Sequence, residues 1–277
     1  DRHRTDRARR TLSPGRAGET DHHRKARTRN LRLRPTRVTT LFISDLHLEA
    51  ARPDIGEQFL EFLDTEAAAA EALYILGDLF ESWVGDDDPN THYAEMKSAI
   101  RSLADGGTPV YFMHGNRDFM IGEQFAEETG ITILPDPIVV ELYGEPGLRS
   151  HGDAWCTDDT QYQQMRVMTR TPEWQSMMRQ KPLAERQAIA AAARAESIQH
   201  GKTIDTAISD VNAEAVRQAL IEYDVHTMLH GHTHRPAVHD LDVNGKPATR
   251  IVLGDWYEHG SHHPSDQNPP QQPHNQR

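Results

Sequence analysis

Residues 73–78, Leu-Tyr-Ile-Leu-Gly-Asp, form an apolar run that ends in a glycine and a carboxylate. A short apolar run closed by a turn residue is typical of a buried strand. Similar runs occupy residues 38–43 and 110–113, one on each side in the chain. Apolar residues recur at helical spacing between the runs, at residues 55–70 and 93–103. This β-α-β-α-β order predicts a layered α/β sheet with right-handed crossovers.

Polar side chains that bind metals follow these strands and two later apolar segments. Ligands of α/β folds lie beyond the carboxyl ends of the strands, so the five segments are expected to meet. A lone His-x-His sequence is more often a pair of solvated loop histidines, but five such segments together favour a metal centre. The segments are Asp45-Leu46-His47, Gly77-Asp78, Gly115-Asn116-Arg117-Asp118, His151-Gly152-Asp153 and His230-Gly231-His232-Thr233-His234.

The candidate ligands point to two metal ions. Asp, His and Asn side chains without cysteine suit a hard or borderline divalent ion such as Mn, Fe or Zn. Seven ligands exceed the needs of one ion, whereas two ions that share a bridging Asp78 would use them all. The seven are Asp45, His47, Asp78, Asn116, His151, His232 and His234.

The predicted chemistry is hydrolysis at phosphorus. Two ions about 3.5–4 Å apart activate a water and hold the oxygens of a phosphorus centre. No nucleophile elbow, phosphate-binding loop of nucleotide hydrolases or dinucleotide-binding glycine motif is present. Arg117, adjacent to Asn116, is suited to bind phosphate oxygens and developing charge. The sequence therefore predicts water attack on a phosphoester or pyrophosphate.

Length and composition restrict the class of protein. A chain of 277 residues can bury one core with an inserted subdomain. The single cysteine, Cys156, excludes an intramolecular disulfide framework and a cysteine-rich zinc site. No apolar stretch approaches the ~18 residues of a membrane span, and the N-terminus has no apolar signal-peptide core.

Charge is distributed unevenly along the chain. Residues 1–37 contain 13 Lys and Arg against 4 Asp and Glu, so a chain of formal net charge −12 carries −21 over residues 38–277. A body this acidic does not favour binding of nucleic acid by phosphate neutralisation, and it fits a protein that collects divalent cations. The predicted domains are a disordered basic extension (1–37), the catalytic domain (38–255) with a helical cap inserted at about 158–200, and a disordered tail (256–277).

Other polar residues receive simpler interpretations. His114 and His230 are predicted to be structural or to support the ligands, and Asp118 and Asp153 to orient them. The acidic run 86–88 is interpreted as a solvated turn in preference to a third metal site, and Cys156 as a packing residue. The basic extension could bind anionic membrane or RNA, but a non-conserved or mis-started extension is favoured. Residues 144–147, Gly-Glu-Pro-Gly, are expected to break the strand that leads to His151.

The order of these motifs resembles that of the calcineurin-like metallophosphoesterases. Within that superfamily, the chain from about residue 38 to 255 resembles the UDP-2,3-diacylglucosamine pyrophosphatases of lipid A synthesis. The matching segments are SDLHLEA (44–50), YILGDLFESWVGDDDPN (74–90), HGNRDFMIG (114–122), HGDAWCTDD (151–159), SDVN (209–212) and HGHTHRPAVH (230–239).

The resemblance implies a layered sandwich of mixed β-sheets flanked by helices, with the helical insertion as a lid over the acyl chains. It implies Mn²⁺-dependent hydrolysis of UDP-2,3-diacylglucosamine to UMP and 2,3-diacylglucosamine 1-phosphate (lipid X), by attack at the α-phosphorus. It also implies a peripheral enzyme on the cytoplasmic face of the bacterial inner membrane, with no nucleic acid and no obligate protein partner.

The resemblance also implies residue roles. One Mn²⁺ would bind Asp45, His47, Asp78 and His234, and the second Asp78, Asn116, His151 and His232. Asn116, Arg117 and His232 would act in catalysis, and the substrate's polar head would contact Asn116, Arg117, Asp159, Ser197 and His232. Two further substrate-contacting residues of the family, an Asn and a Lys, are replaced here by Gly201 and Ile204, which departs from the family's pattern; Lys202 is the candidate substitute.

Two alternative functions, each of a different class, fit the same sequence. The same fold could hydrolyse a soluble nucleotide or phosphodiester, which would need no lipid or detergent. A metallophosphoesterase-like domain could instead serve as an inactive binding module. The second alternative predicts lost ligands, whereas all seven positions are filled.

Overall fold

The computed structural model describes residues 39–203, 210–256 and 263–265. The predicted extension at residues 1–37 lies outside these residues. All described residues belong to one compact unit, Pro35–Arg277. A search of the described helices finds none with the length and apolar character needed to cross a membrane.

Strands and helices alternate through the first half of the chain. The strands are β1 (Thr40–Ile43), β2 (Ala72–Leu76), β3 (Val110–Met113), β4 (Thr132–Leu134), β5 (Ile138–Leu142), β6 (Glu145–Ser150), β7 (Thr227–His230), β8 (Ala237–Val243), β9 (Lys246–Val252) and β10 (His263–Ser265). The α-helices are α1 (Pro53–Phe62), α2 (Ala94–Asp105), α3 (Glu123–Thr129), α4 (Thr160–Thr169), α5 (Pro172–Arg179), α6 (Leu183–Thr203) and α7 (Ala213–Glu222). A π-helical segment, Leu63–Ala67, extends α1.

The strands form two five-stranded sheets. The first has the order β10-β1-β2-β3-β4, and the second the order β5-β6-β7-β9-β8. Strands β1 to β4 run parallel, as do β6, β7 and β9. The parallel strands of each sheet therefore end at one edge, where loops from neighbouring strands lie close together.

Side chains of the first sheet point alternately toward the helices and toward the second sheet. Leu41 and Ile43 of β1 pack in the core cluster that contains helix residues Phe59 and Ile100. Phe42, between them in sequence, faces the opposite way, into the cluster that holds Leu229 of the second sheet. Because successive strand residues point to opposite faces, one face of the first sheet contacts helices and the other contacts the second sheet. The α/β sandwich predicted from the sequence is confirmed.

The expected break before His151 was wrong. Residues Glu145–Ser150 form strand β6, which pairs with β5 in a register that places Leu142 opposite Glu145. Tyr143 and Gly144 make the connection with φ values of 54° and 87°, which suit a tight hairpin turn. Only Leu148–Ser150 pair with β7, so Pro146 lies outside that ladder and costs it no hydrogen bond.

The expected disorder from residue 256 was also wrong in part. Trp256 is only 2% exposed and packs edge-on against Phe59 and Phe62. Residues His263–Ser265 form β10, antiparallel to β1. The unpaired edge of β1 offers backbone donors and acceptors that composition does not reveal, so a short polar segment can pair there. The remainder of the predicted tail lies outside the described residues.

Candidate metal centre

The five predicted ligand loops meet at one end of the sandwich, across the boundary between the two sheets. Within the first sheet, the backbone N–H of His47 donates to the carbonyl of Asp78 at 3.0 Å. Between the sheets, the backbone N–H of His232 donates to Oδ2 of Asp45 at 2.9 Å, and Nδ1 of His151 lies 2.9 Å from the carbonyl oxygen of Leu76. Side chains far apart in sequence are thereby brought to one site.

Two clusters of ligand atoms form there. Asp45, His47 and His234 make the first, and Asp78, His151 and His232 the second; the ligand atoms of each lie within 4.8 Å of one another. In the first cluster the Nε2 atoms of His47 and His234 are 3.3 Å apart. These two sets divide the predicted ligands as the sequence resemblance implied.

Asp78 and Asn116 complete the two clusters. Oδ2 of Asp78 lies 3.8 Å from Nε2 of His47 in the first cluster and 3.8 Å from Nε2 of His151 in the second. Its carboxylate is thus positioned between the clusters, as a bridging ligand requires. Oδ1 of Asn116 lies 3.0 Å from Nε2 of His151 and 2.9 Å from Nδ1 of His232, so the amide belongs to the second cluster.

Most of these ligands have an unusual backbone conformation. Asp45, His47, Asp78, His232 and His234 all have positive φ, between 52° and 69°. Non-glycine residues rarely adopt this left-handed region, and when they do the surrounding structure must hold them there. Each such residue turns the chain sharply after its strand.

Glycines next to the ligands permit their close approach. A Cβ atom on Gly115 would lie 2.1 Å from Oδ1 of Asp78, and one on Gly231 would lie 2.3 Å from Oδ2 of Asp45. Any larger residue at either position would displace a predicted ligand. The glycines of these motifs are therefore explained by space around the carboxylates.

Asp118 holds two of the ligand loops together. It is fully buried, and its carboxylate accepts hydrogen bonds from the backbone N–H groups of Gly115 at 2.8 Å and Leu79 at 2.7 Å. Burial, together with the charge of Asp78, raises the pKa of Asp118 to about 7. Its placement fits the orienting role predicted from the sequence.

Asp153 connects the centre to helix α4. Its Oδ2 accepts hydrogen bonds from the Tyr162 hydroxyl at 2.7 Å and from Nε of Arg166 at 2.9 Å. Arg166 also donates to Asp136 at 3.1 Å. The Tyr162 ring stacks on His232, with 5.9 Å between the ring centroids. The carboxylate thus positions cap residues over a predicted ligand.

The electrostatics of the centre favour cations. The carboxylates of Asp45, Asp78, Asp118 and Asp153 are at most 2% exposed. Burial alone would raise the pKa of Asp45, but the neighbouring histidines, above all His234, outweigh it and hold the pKa well below its usual range. Buried negative charge at this density is costly unless cations or strong donors compensate it.

The donor set fits a pair of divalent ions. Oδ1 of Asp45 is buried, and Nε2 of His234 lies 3.5 Å from it. Carboxylate, amide and imidazole donors without sulfur suit hard or borderline metals. Nδ1 of His234 lies 3.0 Å from Oδ2 of Asp255, the kind of contact that orients a ligating imidazole. We conclude that the residues present can hold a dinuclear divalent-metal centre.

A cavity of about 380 Å³ opens from the centre toward the cap helices α4 to α6. Asn116 and Arg117 are part of its lining, together with apolar side chains such as Met165, Trp174 and Met178. Charged side chains also line it, namely Glu81, Arg166, Arg170, Arg186 and Arg194. The backbone N–H of Arg117 donates to Oδ1 of Asp78 at 2.8 Å, while its buried Nε has no hydrogen-bond partner among the described residues. The guanidinium is thus positioned to receive an anion.

The remaining predicted substrate residues differ in position. Ser197, on α6, is exposed and lines the cavity. Asp159 caps the N-terminus of α4, where its carboxylate accepts a hydrogen bond from the backbone N–H of Tyr162 at 3.0 Å, and it is not among the described cavity-lining residues. The side chain of Lys202 and the whole of Ile204 lie outside the described part of the chain, and Gly201 is described only as part of helix α6.

The acidic run at residues 86–88 is more than the solvated turn expected from its sequence. The carboxylate of Asp86 accepts hydrogen bonds from the indole of Trp83 at 2.9 Å and from the backbone N–H groups of Gly122 and Phe125. Asp87 forms an ion pair with Arg186 of α6, whose side chain is nearly fully buried. The run therefore attaches two helices to the core, a role that no local sequence signal indicated.

The sequence is similar to those of known proteins that share the predicted chemistry. The calcineurin-like phosphoesterase family matches residues 38–236. The chain belongs to that family. It is also similar to UDP-2,3-diacylglucosamine hydrolase of Xanthomonas axonopodis pv. citri (strain 306), with 51% identity over 231 residues that cover 81% of this chain and 94% of the relative. A relative of the same name from Stenotrophomonas maltophilia (strain R551-3) is 50% identical and is covered over 93% of its length.

The region that matches the family contains the ligand loops. The matched region contains all seven predicted ligands, from Asp45 to His234. Among the described residues, the two clusters of Asp and His side chains that could hold a metal ion both lie within it. Fold, ligand geometry and family thus point to one phosphoesterase site.

Proposed function

We propose that this protein hydrolyses the pyrophosphate bond of UDP-2,3-diacylglucosamine to UMP and 2,3-diacylglucosamine 1-phosphate. The observation that carries the proposal is the cavity, which joins an anion-binding end at the metal centre to an apolar lining under the cap. A nucleotide-linked lipid needs both environments, whereas a soluble phosphodiester has no use for the apolar part. The relatives named UDP-2,3-diacylglucosamine hydrolase, matched over nearly their whole length, support the same substrate.

The ligand clusters determine where the chemistry occurs. A bound pair of divalent ions, which we propose to be Mn²⁺, lowers the pKa of water and polarises phosphoryl oxygens. Asp45, His47 and His234 would hold one ion, and His151, His232 and Asn116 the other, with Asp78 between them. The shared carboxylate keeps the two clusters at a fixed separation.

Arg117 and its neighbours bind the phosphates. The guanidinium of Arg117, anchored through its backbone to Asp78, would pair with phosphoryl oxygens and stabilise the charge that develops on them. Burial and the charge of His151 lower the pKa of His232 to about 4, which keeps the imidazole neutral near pH 7. Neutral His232 and the Asn116 amide would orient the polar head, with Ser197 and Asp159 as more distant contacts.

The cap would receive the acyl chains. Methionine side chains adapt to irregular apolar ligands, and the cavity lining contains several of them, Met165 and Met178 included. Several apolar side chains of the cap are exposed, and three of them, Met165, Met168 and Ile189, also line the cavity. The exposed set is Met165, Val167, Met168, Met177, Ile189 and Ile198. We propose that this surface touches the cytoplasmic face of the bacterial inner membrane, from which the lipid substrate enters the cavity.

Product analysis tests the reaction. The protein is incubated with Mn²⁺ and UDP-2,3-diacylglucosamine in ¹⁸O-water, and the products are identified by mass spectrometry. Attack at the α-phosphorus predicts labelled UMP and unlabelled 2,3-diacylglucosamine 1-phosphate. Label in the lipid phosphate would contradict the site of attack. Cleavage of soluble phosphodiesters with no turnover of the lipid would reject the substrate, and no turnover of either would favour an inactive binding module.

A further inference from the structure

Glu81 joins a predicted metal ligand to the cap. The residue lies three positions after Asp78, and its side chain is 15% exposed. One carboxylate oxygen, Oε2, lies 2.9 Å from Nδ1 of His47. The other, Oε1, lies 2.5 Å from Nε of Arg194 on helix α6. A single carboxylate therefore contacts both the metal centre and the longest helix of the cap.

The contact with His47 is on the side of the ring away from the metal cluster. Nε2 of His47 is the atom that approaches His234 and Asp78, so Nδ1 is left to face Glu81. A carboxylate on the second ring nitrogen of a ligating histidine fixes its tautomer and orientation and raises its basicity. Glu81 lies at the distance from Nδ1 that this role requires.

Arg194 determines how Glu81 is held. Its side chain is 38% exposed, and it projects from α6 toward the cavity, which both residues line. Helix α6 has a second attachment to the core, the ion pair between Arg186 and Asp87. That second pair contacts no predicted ligand among the described residues. Nearby, Arg186 also donates to the carbonyl of Val84 and Gln187 to Asp88, so α6 is attached both at the metal centre and away from it.

We propose that Glu81 and Arg194 couple the position of helix α6 to the metal site formed by Asp45, His47 and His234. When α6 is packed, Arg194 holds the Glu81 carboxylate against His47, and the imidazole keeps the orientation that binding requires. By thermodynamic reciprocity, an ion on His47 favours the packed cap. Both residues act by positioning His47. The inference rests on the metal centre of the proposed function, but it can be tested without the lipid substrate.

Metal titration of the full chain tests the coupling. Metal-free wild type, Glu81→Gln, Arg194→Gln and the double variant are titrated with Mn²⁺ by calorimetry. Glu81→Gln is expected to weaken one of two sites about 10-fold, the lower end for loss of a ligand's supporting carboxylate. Arg194→Gln should weaken the same site about threefold, as expected for loss of a partly exposed ion pair. The double variant should bind like Glu81→Gln, because Arg194 acts through Glu81.

Asp87→Asn is the matched control, since it weakens the other attachment of α6 and leaves Glu81 in place. Its Mn²⁺ affinity should fall by less than that of Arg194→Gln, because α6 is loosened while the contact between Arg194 and Glu81 itself remains. Hydrogen exchange of residues 183–199 supplies a readout of the cap. Added Mn²⁺ should slow exchange in wild type and in Asp87→Asn, and slow it less in Arg194→Gln. Arg194→Lys, which keeps the charge, should restore part of the effect.

The outcomes separate the two proposals. Unchanged Mn²⁺ affinity in Arg194→Gln, or a double variant weaker than Glu81→Gln by the full Arg194→Gln factor, would overturn the coupling while leaving the metal centre intact. A loss of affinity in Asp87→Asn as large as that in Arg194→Gln would also overturn it, because the loss would then not depend on the contact between Arg194 and Glu81. A wild-type chain that binds no Mn²⁺ would overturn the metal centre itself and the coupling with it.

Discussion

At the scale of single residues, the centre depends on side chains whose backbone is held in a rare conformation. Positive φ at Asp45, His47 and His234 costs of order 1–3 kcal/mol for each residue, and the hydrogen bonds between the loops must offset that cost. This backbone conformation turns the chain sharply after each strand and so directs the ligand side chain toward the boundary between the two sheets.

Replacement of Asp78 by Ala is expected to reduce metal content from two ions per chain to none. Its carboxylate lies 3.8 Å from histidines of both clusters, so both sites lose a ligand together. Metal analysis of the purified variant after dialysis measures this. Retention of one ion at full occupancy would show that Asp78 belongs to a single site.

Replacement of Arg117 by Ala is expected to lower kcat by about 10²–10³-fold, the range for loss of one donor to a developing negative charge. Metal content should stay at the wild-type value, because the contact with Asp78 uses the backbone N–H. Steady-state kinetics and metal analysis on the same sample separate the two effects. Arg217→Ala, an exposed arginine on α7, is the control, and equal rates in both variants would reject the role in phosphate binding.

The sequence predicted the ligands better than it predicted their supports. Asp45, Asp78 and His232 follow apolar strands, and that local signal was sufficient to predict that they lie together, although His232 follows a strand of the second sheet. Glu81 and Tyr162 have no such signal. Their roles depend on contacts with Arg194 and Asp153, which exist only after the cap has packed on the core.

At the scale of elements, the β5–β6 hairpin shows how composition can mislead. Gly144 and Gly147 suggested a break, yet Gly144 is the turn residue and Gly147 lies within β6. A Cβ on Gly147 would lie 2.4 Å from a guanidinium nitrogen of Arg149, so this glycine makes room for a buried side chain. Helices and parallel strands were predictable from periodicity, but this use of glycine inside a strand requires knowledge of its neighbours.

Replacement of Asp86 by Ala is expected to lower the free energy of unfolding by about 1–3 kcal/mol, because it removes the partner of several backbone and indole donors. The carboxylate accepts hydrogen bonds from Gly122 and Phe125 at the start of α3 and from Trp83. Urea denaturation measures the change. Glu123→Ala, an exposed residue in the first turn of α3, is the control, and an equal loss there would contradict the structural role of Asp86.

At the scale of the whole molecule, the metal ions are expected to contribute to stability. Asp45, Asp118 and Asp153 are fully buried close to Asp78, so bound cations relieve repulsion in the folded state. A divalent ion at about 100 times its dissociation constant would stabilise the folded state by roughly 2.7 kcal/mol for each site. Calorimetry with and without a chelator should show a lower Tm in the metal-free protein. No difference would contradict metal binding to the native state.

Each ligand set combines residues from both sheets, and this affects when the metal centre can form during synthesis of the protein. One ligand set takes Asp45 from the start of the fold and His234 from near its end, and the other takes Asp78 and His232. A nascent chain still attached to the ribosome cannot use His232 and His234 as ligands until β7 and the loop beyond it have emerged. Ion loading is therefore a late step of maturation, and a chain truncated before residue 232 would leave the ribosome with four exposed strand-end loops and no catalytic centre.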